Sequence, residues 1–147
     1  MRLVSPAFQE GETIPTLYTC EGANGSPGLR WDDAPASTQS FALIMDDPDA
    51  PVGTWTHWVL FDIPAATRGI DEGGTAGTTG ANSSEQIIYH GPCPPPDHGP
   101  HRYFFTLYAL DTPSLRLSEG AERSEVEAAM KGHILAEAQY MGRYERK

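Results

Sequence analysis

Cysteine and lysine are both scarce in this chain, with two of each among its 147 residues. Cys20 and Cys93 are too few and too far apart to read as a disulfide framework, and no tight Cys/His spacing offers a structural zinc site. Both cysteines are expected to be reduced thiols. Basic residues are outnumbered two to one: 10 Lys and Arg against 20 Asp and Glu give a formal charge of −10. Such a surface repels nucleic acids and anionic lipid head groups, and no nucleic-acid partner is expected. No apolar run approaches the length of a membrane span. The first six residues, Met1-Arg-Leu-Val-Ser-Pro6, lack an apolar leader core. The expectation is a cytoplasmic chain of one domain over residues 1–147.

Turn formers are plentiful instead. Fifteen Gly and thirteen Pro with 39% hydrophobic residues point to a mainly β protein rather than a helical bundle. Phe41-Ala-Leu-Ile-Met45 reads as a strand covered on both faces. Thr56–Ile63 reads as a second strand, with simple alternation placing His57, Val59 and Phe61 on one face. Arg102–Leu110, opened by His101, reads as a third and central strand, with His101, Tyr103, Phe105 and Leu107 on one face. Leu17–Cys20, Leu29–Trp31 and Gln86–Tyr89 are candidate short strands. Residues 64–84, with five glycines, read as a solvent loop; no Gly-Lys-Ser/Thr is present to make it a phosphate loop. Ser124-Glu-Val-Glu127 is a capping-box pattern, predicting a helix to about Ala138 with His133 on its apolar stripe.

The chemistry concentrates in two stiff turns. Asp46-Asp-Pro-Asp-Ala-Pro51 is followed by Trp55, His57 and Trp58; Gly91-Pro-Cys-Pro-Pro-Pro-Asp-His-Gly-Pro100 is followed by His101 and Tyr103. Proline fixes φ and removes an amide donor, so the second stretch is an ordered loop without regular structure. Each turn delivers a histidine to the mouth of a buried strand. If the strands are neighbours, both imidazoles face one cavity. Asp47 is then placed to orient one of them, the histidines supply donors or positive charge, and Tyr103 adds a hydroxyl. Such a set suits a small phosphate-like anion. Asp46 and Asp49 read as turn residues, Trp55 and Trp58 as packing, and His90 and His98 as solvated loop residues.

Three enzymatic arrangements compete for the same residues. Asp47, His57 and His101 could form an open metal site, giving a small metal-dependent hydrolase. Cys93 and His101 could form a nucleophile pair, although nothing visible lowers the thiol pKa. Asp46, Asp47 and Asp49 could form a carboxylate pair, but they crowd one turn, whereas that chemistry needs them on opposite sides of a substrate. All three rank below a binding protein without turnover, cofactor or metal.

The two turns resemble the paired signatures of the phosphatidylethanolamine-binding protein family, also called Raf kinase inhibitor proteins. The first is Asp47-Pro-Asp-Ala-Pro51 with Trp55-Thr-His57-Trp58; the second is Gly91-Pro-Cys-Pro-Pro with His101-Arg-Tyr103. Ser5-Pro-Ala-Phe8, Ile14-Pro15, Tyr18-Thr-Cys20 and Ser26-Pro27 extend the likeness over nearly the whole chain, which is similar to the bacterial and archaeal YbhB/YbcL branch. The resemblance implies a large central antiparallel sheet packed on a smaller one, with one or two peripheral helices. It implies an anion pocket lined by Asp47, His57, His101 and Tyr103 and shaped by Pro51, Gly91 and Pro94. The implied ligands are a small phosphate-containing anion or a phosphorylated side chain, the implied partners a kinase or protease, and the implied assembly a homodimer.

Overall fold

Apolar residues unbroken by charge build the middle of a five-stranded sheet. In the computed structural model, which describes Met1–Lys147, β3 (Ser40–Asp47) and β4 (Trp55–Pro64) run antiparallel, joined by the first stiff turn. Seven of the eight residues of β3 are buried, as a strand packed on both faces requires. β7 (His101–Leu110) pairs with β3 on its other side, and β8 (Ile134–Tyr144) pairs with β7. A two-residue strand, β6 (Thr78–Thr79), closes the far edge, giving the order β6-β4-β3-β7-β8. β1 (Arg2–Val4), β2 (Leu29–Asp32) and β5 (Gly69–Ile70) form a separate antiparallel sheet in the order β1-β2-β5.

Alternation then sorts the side chains into two layers. Leu3, Leu29, Trp31 and Ile70 of the small sheet pack on Leu43, Met45, Leu60, Phe105 and Leu107 of the large one. On the opposite face Ile44, Val59 and Phe61 are covered by Leu115, Ala121 and the helix α1 (Arg123–Met130), through Val126 and Met130. The mainly β architecture of two packed sheets and one peripheral helix is as expected, and β7 is an interior strand.

Several local expectations fail for identifiable reasons. The helix is capped by Glu122 with Glu125 as its reciprocal partner, two residues ahead of the Ser124/Glu127 pair, and it stops at Met130. Gly132, at φ 85°, turns the chain, and the segment from Ile134 becomes a strand although Leu, Ala, Glu and Gln favour helices. Pairing with ten residues of β7 overrides that preference. His133 therefore lies outside the helix, half-exposed, with Nδ1 at 2.7 Å from Asp111 Oδ1. Thr16–Tyr18 is a 3-10 turn rather than a strand, and Gln86–Tyr89 is irregular. Within the glycine-rich 64–84 stretch, β5 and β6 are paired strands rather than loop.

The cysteines are the largest correction. Cys20 and Cys93 form a disulfide, with Cα atoms 5.4 Å apart across a sequence separation of 73. The 3-10 turn brings Cys20 against the second stiff loop, where its N–H donates to the Pro92 carbonyl at 3.1 Å. Spacing along the chain carries no sign of this approach. It also removes the Cys93–His101 nucleophile pair, because Cys93 has no thiol.

Candidate functional site

The first stiff turn is locked by its own carboxylates. Asp47 Oδ1 accepts from the Asp49 N–H at 2.7 Å, a local bond that Asp makes well in turns. Asp49 accepts a two-pronged grip from Arg102, through Nε at 2.9 Å and Nη2 at 2.8 Å, and a third bond from the Arg102 N–H. The guanidinium holds the Asp49 carboxyl down at about 2. Asp47 Oδ2 accepts from His101 Nδ1–H at 2.7 Å, with both side chains buried. Turn and β7 are thus clasped by consecutive residues of the strand. Asp46 points the other way, to Arg123 of α1 at 2.8 Å.

The second loop has no regular structure, yet it is tied along its length. The Gly91 N–H donates to Asn24 Oδ1 at 2.8 Å, the Pro94 carbonyl accepts from Arg146 Nε at 2.6 Å, and the Asp97 N–H donates to the Arg146 carbonyl. With the disulfide, these contacts make it a fixed wall.

A break in alternation aims His57. Met45 pairs with Trp58 and Asp46 pairs with Thr56, so His57 is an extra residue opposite nothing on β3. This β-bulge re-aims a side chain, as bulges do. His57 leaves the face of Val59 and Phe61, where simple alternation had put it. Its ring instead meets the Tyr103 ring edge-on, centroids 5.3 Å apart. The His101 ring is stacked near Tyr103, with centroids 6.5 Å apart.

These groups surround a cavity of about 260 Å³, lined by Asp47, Pro51, His57, Pro94, His101 and Tyr103. Six of the seven residues expected at the site are therefore together. Gly91 is not in the lining: it packs behind the wall, where a Cβ would come within 2.1 Å of the Tyr18 carbonyl oxygen. Trp55, Ser84, His90 and Cys93 also line the cavity. Trp58 is buried in the core, as a packing residue should be, whereas Trp55 faces the cavity.

Hydrogen bonding assigns the protons. His57 Nδ1 lies 2.6 Å from the His90 carbonyl, which can only accept, so Nδ1 carries the hydrogen. The Gly91 backbone is a further acceptor near the same ring. Burial pushes the His57 pKa down to about 4, against the pull of the His90 carbonyl, so this ring is neutral near pH 7. It cannot supply the positive charge the sequence suggested. His101 uses both nitrogens: Nδ1 on Asp47, and Nε2 at 2.6 Å from His98 Nδ1. Tyr103 is fully buried; its hydroxyl makes no well-formed hydrogen bond, although the Asp47 carboxylate lies near enough to draw on it. Burial, and next the nearby Asp47 charge, raise its pKa, keeping it a phenol that can donate.

His90 and His98 were expected to be solvated loop residues. His90 instead supplies the carbonyl that orients His57, and its own Nδ1 is buried without a partner. His98 is exposed but abuts His101 with ring centroids 4.8 Å apart. The only sequence signal for His98 is its place three residues before His101 across a Gly-Pro turn. No group of three or more His, Cys, Asp or Glu side chains is placed to hold a metal ion. Asp47 and both nitrogens of His101 are engaged with each other and with His98.

A family model for phosphatidylethanolamine-binding protein matches residues 4–145. The chain belongs to that family. A UPF0098 protein of Aquifex aeolicus is 49% identical over 152 aligned residues, covering 99% of this chain and 89% of its own. A crystal structure of a phosphatidylethanolamine-binding protein homolog from Chlamydia trachomatis superposes with a TM-score of 0.94 at 38% identity, covering 99% of this chain and 97% of that one. Escherichia coli YbcL, described as a member of the same family, gives 0.92 at 30% identity, with 99% and 98% covered. No helix of this protein is long and apolar enough to cross a membrane.

Proposed function

We propose that this family member is a binding protein without turnover, whose cavity between the two stiff turns receives a small phosphoryl-type anion. The observation that carries the reading is the Tyr103 hydroxyl. Tyr103 lines the cavity, and its buried phenol makes no well-formed hydrogen bond within the protein, with the Asp47 carboxylate of the Asp47–His101 pair beside it. Leaving such a group unpaired costs about 1–3 kcal/mol, a penalty that a ligand oxygen removes. Pro51, Trp55 and Pro94 give apolar walls, and the committed carboxylate of Asp47 orients His101 rather than meeting the ligand. Access to His101 Nε2 requires His98 to leave it. His98 sits exposed near the tip of its loop, so that displacement is local.

A phosphorylated side chain on a partner such as a kinase or protease would present the same chemistry as a free phosphomonoester, and a homodimer would carry two such cavities. The test is titration calorimetry of phenyl phosphate against wild type, Tyr103→Phe and His101→Ala, each checked by circular dichroism. Wild-type binding that is lost in both folded variants is the expected result. Equal affinities in all three would remove the cavity from consideration as the binding site.

A further inference from the structure

A single exposed aliphatic is ordinary, but Ile87 and Ile88 stand side by side, 46% and 58% exposed, on the loop between β6 and the second stiff turn. That loop is pinned. The buried Asn82 accepts from the Ser84 and Gln86 N–H groups through Oδ1, at 2.9 and 3.1 Å, and donates from Nδ2 to the Ile88 carbonyl at 2.9 Å. Gly120 backs Ile87 so closely that a Cβ there would stand 3.0 Å from Ile87 Cδ1. Two β-branched side chains, stiff at χ1, are thus held out on a fixed backbone, with little freedom left to lose on binding.

Both isoleucines line a second cavity, of about 300 Å³, together with the buried aromatic pair Trp58 and Tyr89. Its glycine-rich wall is fixed as well: the Gly73 N–H donates to the Ser26 carbonyl at 2.8 Å, and Ser26 Oγ to the Gly74 carbonyl at 3.2 Å. No charged residue is in this lining, although one residue in five of the chain is charged. An ionic group entering it would go unpaired, whereas an aliphatic group is matched. The two cavities share a partition. His57 and His90 line the first, and their chain neighbours Trp58 and Tyr89 line the second. Ile88 of the second lies two residues from His90 of the first, about 7 Å of extended chain, which is also the spacing of same-facing side chains along an extended peptide. Val52, 83% exposed, stands at the first cavity, so apolar surface accompanies both. We infer that the second cavity takes an aliphatic side chain of a protein partner, two residues from the group that enters the first. The identity of that first group rests on the anion reading above; the second cavity does not. A free small anion would leave the isoleucines uncovered, and the net charge of −10 repels an anionic membrane.

Short peptides test this on the whole chain: acetylated, amidated Leu-Ala-phosphotyrosine-Ala-Leu, the same peptide with both leucines replaced by serine, and the unphosphorylated forms of each, with phenyl phosphate as reference. Leucine on both sides serves either chain direction. By calorimetry the leucine phosphopeptide should bind about tenfold more tightly than the serine phosphopeptide, the gain expected from burying most of one leucine. Ile87→Ser/Ile88→Ser should erase that gain and leave phenyl phosphate affinity unchanged; if the variant does not fold, the wild-type comparison decides alone. Equal affinities for the two phosphopeptides, with phenyl phosphate bound, overturn the inference and leave the anion reading standing. If no phosphorylated ligand binds, the anion reading falls, and NMR titration with the unphosphorylated peptides decides the second cavity. Shifts of the Trp58 indole N–H and the Ile87 and Ile88 methyls with the leucine peptide but not the serine peptide uphold it; their absence overturns it. Shifts of those methyls with phosphatidylcholine vesicles and with neither peptide would overturn the protein partner in favour of a membrane.

Discussion

Breaking the Cys20–Cys93 bond should loosen both the fold and the cavity wall, and the two effects have different sizes. The bond closes a loop spanning 73 residues of sequence separation, roughly half the chain. In the chain-entropy account such a loop restricts the unfolded ensemble by about 4 kcal/mol at 25 °C. Residual structure in the unfolded chain lowers that figure, so a loss of about 2–4 kcal/mol is expected. For a chain of this size that is a fall in Tm of about 10 °C. The assay is guanidinium denaturation of the oxidised protein beside Cys20→Ala/Cys93→Ala, since a single substitution leaves a reactive thiol. The variant should show a lower midpoint and a steeper m-value, because its unfolded state is less compact. Ligand affinity should weaken rather than vanish. Gly91, Pro94 and Asp97 remain tied to Asn24 and Arg146, so the wall keeps most of its anchors. Two free thiols on titration of the denatured, unreduced protein would refute the pairing. An unchanged midpoint would refute the entropic reasoning.

Other substitutions probe the site one group at a time. Tyr103→Phe should leave stability unchanged or raise it by about 1 kcal/mol, because it deletes a buried donor that has no partner, while phosphomonoester affinity falls; chemical denaturation and calorimetry read the two arms. Gly91→Ala should destabilise by about 1–3 kcal/mol, since its Cβ would meet the Tyr18 carbonyl oxygen at 2.1 Å and Asn24 Oδ1 at 2.5 Å, and neither backbone nor tied amide can yield freely. His98→Ala should keep the fold and raise affinity, because it frees His101 Nε2 from an internal competitor; a decrease would assign His98 to ligand contact instead. Stability should also depend on pH through His57. Its folded pKa of about 4 lies below the ordinary value of 6.5, so the unfolded state binds the proton first. The contribution is whole above pH 6.5 and is lost as pH falls to about 4, a loss of about 3 kcal/mol that His57→Asn should flatten in urea titrations.

The sequence was most legible where one force acts alone. Largely apolar runs mark buried strands, and those read at 41–45, 56–63 and 102–110 form within Ser40–Asp47, Trp55–Pro64 and His101–Leu110. Proline density marked the two turns because a fixed φ is a local property. Legibility failed where partners distant in sequence decide. Residues 134–144 carry helix-forming side chains and become a strand because β7 supplies a complete ladder of bonds. The cysteine pair is invisible for the same reason, since its closure depends on where the 3-10 turn and the proline loop meet.

The site divides along that line too. Residue types and turns identified Asp47, His57, His101 and Tyr103 as a group, and the cavity brings them together. Protonation was beyond reach, because it depends on carbonyls, and every residue has one. A histidine read from sequence is a candidate cation; burial makes His57 neutral near pH 7, and the carbonyl of His90, 33 residues away, fixes its hydrogen on Nδ1. The bulge is what makes that contact. Without the extra residue between Thr56 and Trp58, alternation would send the imidazole under α1 with Val59 and Phe61, and the cavity would lose that ring from its lining. The polarity of this pocket is therefore a property of strand register as much as of residue type. Deleting one residue next to His57 should abolish phenyl phosphate binding by calorimetry even with the imidazole retained.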